Sequence, residues 1–287
     1  MAELITGLAI GTTYAMVGLG IALIFQVTGV INFAQGDFVA VGGLLFAVLR
    51  EAGFAALTAA VLSLAVTAAI GALTYLLVIL PARRAGHDQL MILTIGVSIV
   101  LQGGALLVFG ADSHFAPAFG PERPLHLATV AVPSQYAWCA GVTVVVMALL
   151  WFFLTRTATG TAMRASAMDP QAARLTGVSP QRMGLIVFVL AAALAAIAGT
   201  VLAPLQPPDA MTGVALGLKG FTAAVIGGLA SPAGAVAGGL VIGLVETYAT
   251  GYLSSEYKDT LTFGLLLLVL LIRPGGLLRR GADVDRV

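Results

Sequence analysis

The chain has 287 residues, 59% of them hydrophobic and 9% charged, with a formal net charge of +1 and a mean hydropathy of +1.03. Soluble domains average about 45–50% apolar and about 25% charged residues, so an ordinary water-soluble domain is excluded and the bilayer is the solvent. No basic block or interleaving of aromatic with basic residues is present, which leaves nucleic-acid binding nothing to rest on. The one cysteine, Cys139, permits neither an internal disulfide nor a cysteine zinc site.

The chain starts Met-Ala-Glu, with no basic region before the first apolar run and no small-residue cleavage site in reach, so that run is expected to be retained. Crossing hydrocarbon takes roughly 17–25 apolar residues. Candidate spans fall at 4–25, 57–80, 89–109, 137–154, 184–205 and 258–272. Three shorter stretches, 36–49, 216–230 and 233–250, are bounded or interrupted by glycine, proline or charge and read as tilted or broken helices. Together they predict an all-α polytopic membrane protein, a single domain over 1–287, with about 8–9 hydrophobic segments. If all nine stretches cross, Arg83, Arg84, Arg156, Arg164, Arg174, Arg182, Arg273, Arg279, Arg280 and Arg286 share one side. Only Arg50, Arg123 and Lys258 fall on the other, while Lys219 sits at the edge of a broken stretch. That bias places the amino terminus outside and the carboxyl terminus in the cytoplasm. Gly7 with Gly11, Gly234 with Gly238 and Gly239 with Gly243 have small-xxx-small spacing, suited to close helix approach within the chain or across a subunit interface.

The long polar stretch on the basic side, about 155–182, has readable local grammar. Asp169 is an N-cap, Pro170 a first-turn residue and Gly177 a left-handed stop, which predicts a short helix over 170–176; Ser179 and Pro180 repeat the start signal for the next span. Ala172, Ala173, Leu175, Arg164 and Arg174 give this element small, apolar and basic surface. It is either a helix that docks in a partner's groove or a loop whose arginines only set topology.

Nothing matches G-x-x-x-x-G-K-[ST], so the chain has no phosphate-cradling loop and cannot hydrolyse ATP alone. His87, His114 and His126 fall in loops, leaving no histidine inside a span as base or metal ligand. Glu246 reads as an interfacial residue near the outer surface rather than a proton relay, and Asp37 as a helix cap rather than a proton or substrate site. Polar residues gather in two glycine-rich places, Gln26, Thr28, Asn32, Gln35, Gly36 and Asp37 near the front and Lys219, Thr222, Gly227, Gly228, Ser231 and Pro232 near the back, of which Asn32, Gln35, Gly36, Thr222, Gly227 and Gly228 are the candidates for a path. Irregular backbone at membrane depth is tolerated where protein buries it or it lines a cavity, so these six either line a translocation path or pack broken helices together.

Three stretches carry a resemblance: Val30-Ile31-Asn32-Phe33-Ala34-Gln35-Gly36-Asp37-Phe38, the segment Met163 to Val178, and Lys219 to Leu229 continuing through Gly238-Gly239. In this order they resemble the permeases of branched-chain amino acid ABC transporters, and more narrowly their H-type subunit. The resemblance implies a type II-like ABC importer permease fold in the bacterial inner membrane and a second homologous permease as partner. It further implies two ATPase subunits that hold the ATP and Mg, a periplasmic solute-binding protein, and no cofactor on this chain. It also matches Arg164, Asp169, Pro170, Ala173, Arg174, Leu175 and Gly177 to the family's coupling segment. Thr161 stands where a basic residue is expected, and Gln35 where histidine is frequent; the first bears on one ATPase contact, the second on the solute, since relatives carry urea, short amides or other small polar metabolites. The competing class is a stand-alone ion-coupled carrier or channel, which would need Glu246 or Asp37 to bind protons or sodium. A membrane enzyme ranks third, because no nucleophile and base are paired in the spans.

Overall fold

A computed structural model describes residues 2–119, 125–127, 130–273 and 275–277. Arg123, Arg279, Arg280 and Arg286 lie outside the described residues. Eleven helices account for nearly all of what is described: α1 (Ala2–Thr28), α2 (Gln35–Glu51), α3 (Ala56–Thr74), α4 (His87–Phe109), α5 (Ser134–Arg156), α6 (Ala158–Met168), α7 (Pro170–Leu175), α8 (Pro180–Leu202), α9 (Thr212–Gly227), α10 (Pro232–Tyr252) and α11 (Lys258–Ile272). The expectation of an all-α chain is amended only by a small antiparallel ribbon, β1 (Leu125–Leu127) with β2 (Val130–Val132), in register Leu125 to Val132.

Among the described residues, six helical stretches are long and apolar enough to cross a membrane: Glu3–Thr28, Ala56–Ile79, His87–Phe109, Ser134–Arg156, Pro180–Leu202 and Pro232–Tyr252. Five coincide with sequence-predicted spans. The sixth covers a stretch that reads as broken in sequence, yet Ser231 caps it by accepting the Gly234 N–H at 3.1 Å, and it then runs unbroken for 21 residues. The predicted span at 258–272 is a 15-residue helix, about 22 Å long at 1.5 Å per residue.

The helices run alternately between two ends. At one end Gly29 lies against His87, Gly184 against Tyr75 and Gly276 against Gly228, and the Leu277 N–H donates to the Ile226 carbonyl at 2.8 Å. This end gathers the α1 and α3 C-termini, the α4, α8 and α10 starts, and α6 and α7. At the opposite end the His114 N–H donates to the Pro208 carbonyl (3.1 Å), Gln135 bridges the Phe119 N–H and the Val201 carbonyl, and Gly251 neighbours Glu3.

Lipid supplies little hydrophobic force between helices, so close backbone approach and van der Waals contact must hold them. The composition answers this. A Cβ on Gly7 would press on Gly243 and Leu244 of α10, one on Gly11 on Gly239 and Leu240, and one on Gly238 would collide with Ala223 of α9. The three small-residue pairs therefore serve packing within the chain. The Ala-rich face of α8 does the same for α1, α2 and α3, with Ala191, Ala192, Ala195, Ala196 and Ala198 fully buried. By contrast α4 packs chiefly against α2 and the end of α3, and its Ile92, Ile99, Val100 and Leu107 are exposed, as suits lipid. Helix α3 ends in a π-helical turn, Tyr75–Ile79, closed by the Leu80 N–H to Tyr75 carbonyl bond (2.8 Å), which seats Tyr75 against Phe188.

Candidate functional site

At the basic end, α6 and α7 form a mounted lever between α5 and α8. The Thr157 hydroxyl accepts the Gly160 N–H at 3.0 Å and starts α6, which turns back so tightly that a Cβ on Gly160 would collide with the Phe153 carbonyl. Met163 and Ser166 bury the inner face of α6. Asp169 Oδ1 then accepts the Gln171 and Ala172 N–H groups at 2.8 and 3.0 Å, Pro170 occupies the first turn, and α7 runs to Leu175. Its end is a Schellman motif: Val178 N–H to the Ala173 carbonyl (3.0 Å), Gly177 N–H to the Arg174 carbonyl (3.1 Å), Gly177 at φ +84°. Ser179 caps α8 by accepting the Arg182 N–H at 3.4 Å. Ala173 is buried while Arg164, Asp169, Pro170, Arg174 and Gly177 are exposed, and Met168 and Leu175 stand out at 82% and 91% exposure. The predicted short helix is present one residue shorter; α6 has no counterpart among the predicted elements.

The six glycine-rich positions are packed into the interior. Asn32, Gln35 and Thr222 are fully buried. Gln35 Nε2 donates to the Ala191 carbonyl of α8 at 2.9 Å, and the Thr222 hydroxyl donates to the Leu218 carbonyl at 2.8 Å. A Cβ on Gly36 would collide with Gly213 and Gly217 of α9, and one on Gly227 with Gly234 of α10; Gly228, at φ +101°, makes the break between α9 and α10. A narrow apolar cleft with room for about one water molecule lies between α2, α8 and α9, lined by Val39, Gly43, Gly199, Gln206, Thr212 and Leu216 among others.

Two acidic residues differ from expectation. Glu246 is a buried ion-pair partner: it is 7% exposed and paired with Lys219 of α9, whose ammonium also reaches Tyr14 Oη of α1 at 3.3 Å and Asp259 Oδ1 of α11 at 3.2 Å. Asp37 is not a cap: α2 has Ala34 at its N-cap with no side-chain bond, and neither Asp37 oxygen has a hydrogen-bond partner at normal distance. The four-residue cluster around Lys219 escapes sequence reading; its only signal is charge inside two apolar stretches 27 residues apart.

This arrangement defines a polytopic helical membrane protein. The fold is shared with a chain of PsaBC from Streptococcus pneumoniae in complex with Fab, at TM-score 0.52 and 14% identity over 96% of this chain and 91% of that one. Residues 3–270 match the family described as branched-chain amino acid transport system / permease component, and the chain belongs to that family. It is 33% identical to the high-affinity branched-chain amino acid transport system permease protein BraD of Pseudomonas aeruginosa, over 99% of this chain and 97% of that protein. The permease protein LivH of the corresponding system of Escherichia coli K12 gives the same identity and coverage.

Proposed function

We propose that this chain is a membrane-spanning subunit of a binding-protein-dependent, ATP-driven importer for branched-chain amino acids or a related small polar solute in a bacterial inner membrane. It forms one permease domain of about 8–9 membrane segments, amino terminus outside, paired with a second homologous permease. Two ATPase subunits, which hold the ATP and Mg, dock at the basic end, and a periplasmic solute-binding protein docks at the other, on the region 110–136.

The observation that carries this reading is the α6–α7 lever. A six-residue helix is too short to persist alone, yet α7 is fixed at both ends by side-chain and backbone bonds and presents Arg174 and Leu175 outward, beside the exposed Met168 at the end of α6. A push on Arg164, Asp169, Pro170, Ala173, Arg174, Leu175 or Gly177 therefore reaches α5 and α8 as rigid-body motion. Rocking of the two permeases then alternates access to a path near Asn32, Gln35, Gly36, Thr222, Gly227 and Gly228, where packed glycines permit one helix to slide past another. No covalent chemistry is asked of this chain.

Gly177→Val places a β-branched residue where the backbone is left-handed, at a cost of about 1–2 kcal/mol, and removes the stop that fixes α7. Assembled with its ATPases in proteoliposomes, this variant is expected to hydrolyse ATP while uptake per ATP falls severalfold. Unchanged coupling, or absence of ATPase subunits from the purified wild-type complex, would overturn the reading.

A further inference from the structure

Helix α11 lies at the edge of the bundle. It packs chiefly against α9 and α10. Of its 15 residues only Thr262 and Val269 are buried, while Leu267, Leu268, Leu271 and Ile272 are exposed. So narrow a contact fixes neither the height nor the rotation of a helix in lipid, which supplies little force between apolar faces. Polar bonds at the two ends of α11 do fix them, and both go to α9. At its start Asp259 Oδ1 holds the Lys219 ammonium at 3.2 Å. Past its other end, the Gly276 N–H closes a turn on the Arg273 carbonyl at 2.9 Å, and the Leu277 N–H reaches the Ile226 carbonyl at 2.8 Å. Ile226 stands one residue before the end of α9, where carbonyls have no partner in their own helix; Leu277 therefore caps α9 from the far end of the chain. Gly276 has φ +81°, and a Cβ on it would collide with Gly228, so this turn is seated on the break between α9 and α10.

The Asp259 bond is not needed to balance charge. Lys219 is already paired with Glu246, whose side chain is 9% exposed against 53% for Asp259. An ion pair as exposed as that of Asp259 adds little to stability. What it does is locate α11 on a helix whose other contacts are smooth: Gly213 and Gly217 of α9 meet Gly36 of α2, Gly220 meets Gly18 of α1, and Gly227 meets Gly234 of α10. Contacts of that kind let packed helices slide, so a helix bounded by them needs a tie if it is to move in a defined way.

We propose that Asp259 and the Gly276–Leu277 turn are positioning residues for transport. They tie α11 to α9 at both ends, so that the two helices move as one rigid unit and carry displacement of the α9–α10 break at the basic end to the Lys219 junction near the opposite end. There Lys219 passes it to Tyr14 of α1 and Glu246 of α10. The inference rests on the import reading above and adds to the α6–α7 lever a second connection between the two ends of the bundle.

The test uses the assembled importer in proteoliposomes and asks whether one end of α11 responds to the other. Asp259→Ala is expected to accelerate hydrogen exchange at the Leu277 amide severalfold, although a helix about 22 Å long separates them, and to leave exchange at the Gly177 amide of the lever unchanged. Uptake per ATP falls severalfold while hydrolysis continues, and the thermal midpoint stays at the wild-type value because Glu246 still neutralises Lys219. Asp259→Glu keeps both readouts close to wild type. Asp259→Ala combined with Thr260→Asp does not: it returns a carboxylate to the first turn of α11, where the helix dipole favours one, but about 100° round the helix from the Lys219 side. Leu277 exchange indifferent to Asp259→Ala, unchanged uptake per ATP, recovery with Thr260→Asp, or a lowered thermal midpoint in Asp259→Ala would each overturn the tie. Copurification of the ATPases reports separately on the import reading, and exchange at Leu277 reads the tie whichever way that reading falls.

Discussion

Lys219 is the residue on which four helices of the bundle converge. Its ammonium is paired with Glu246 of α10, hydrogen-bonded to Tyr14 of α1 and bridged to Asp259 at the start of α11. Removing one partner of a buried pair leaves the other charge uncompensated, at about 3–5 kcal/mol, whereas replacing both by apolar residues of similar volume is often neutral. Lys219→Met alone is therefore expected to lower the thermal midpoint of the purified protein in detergent markedly, and Lys219→Met with Glu246→Met to recover most of the loss. Strict additivity of the two single effects would show that the pair contributes no coupling. The sequence displays both charges but not their meeting. Glu246 lies six residues before the end of α10, where an unpaired acid would reach the interface; only the crossing of α9 over α10, set by Gly227, Gly234 and Gly238, brings Lys219 to it. Asp37 misleads for a related reason. A carboxylate after glycine at a helix start looks like a cap, but the helix begins two residues earlier, at Gln35, which places Asp37 in its first turn.

Among the elements, those fixed by neighbouring residues are legible in sequence and those fixed by tertiary packing are not. Asp169, Pro170, Gly177, Ser179 and Pro180 act within four residues of themselves, so α7 and the start of α8 can be read directly. Helix α6 cannot: Ala158 to Met168 is small and polar with no apolar stripe, and its conformation rests on the Thr157 cap and on Met163 and Ser166 buried against the bundle. The cap of α7 makes a prediction that separates its hydrogen bonds from its charge. Asn caps about as well as Asp, while Ala costs about 0.5–2 kcal/mol. Asp169→Ala is thus expected to loosen α7 and lower uptake per ATP severalfold, with Asp169→Asn close to wild type. Equal loss in both variants would mean that the Asp169 charge, rather than its bonds to Gln171 and Ala172, is what the lever needs.

For the whole molecule, the separation of basic residues is the most reliable message of the sequence. Arg83, Arg84, Arg156, Arg164, Arg174, Arg182 and Arg273 all lie at one end of the described helices, with Arg50 and Lys258 at the other. What ties the opposite end together is not legible there, because those contacts link residues about 60 positions apart. The connection after α4 is strapped to the end of α2. His114 Nδ1 meets Glu51 Oε2 at 2.8 Å, His114 Nε2 meets the Phe109 carbonyl at 3.1 Å, and the Phe115 N–H donates to Glu51 Oε1 at 2.9 Å. Both imidazole nitrogens face acceptors, an arrangement only the cationic ring satisfies as a double donor. The Glu51 bond and the Phe109 carbonyl accordingly raise the His114 pKa above 6.5, and the His114 bond with the Phe115 N–H lowers that of Glu51 below 4.5. The signs follow from linkage. The raised histidine contributes stability that is complete below 6.5 and fades as pH rises through its folded value; the lowered carboxylate contributes stability that is complete above 4.5 and fades as pH falls through its own. The strap is therefore tightest between those two values and loosens toward alkaline pH. Hydrogen exchange at Phe115, corrected for intrinsic rate, is expected to be slowest in that window and to accelerate at higher pH. In Glu51→Gln, which keeps an acceptor for Phe115 but not the charge, the pH dependence should flatten; a wild-type profile without the alkaline loosening would remove His114 as the clasp. Because the clasp lies within the region 110–136, a loosened strap is expected, on the proposed import reading, to weaken docking of a solute-binding protein there, measured as a fall in its stimulation of ATP hydrolysis in His114→Ala with basal hydrolysis unchanged.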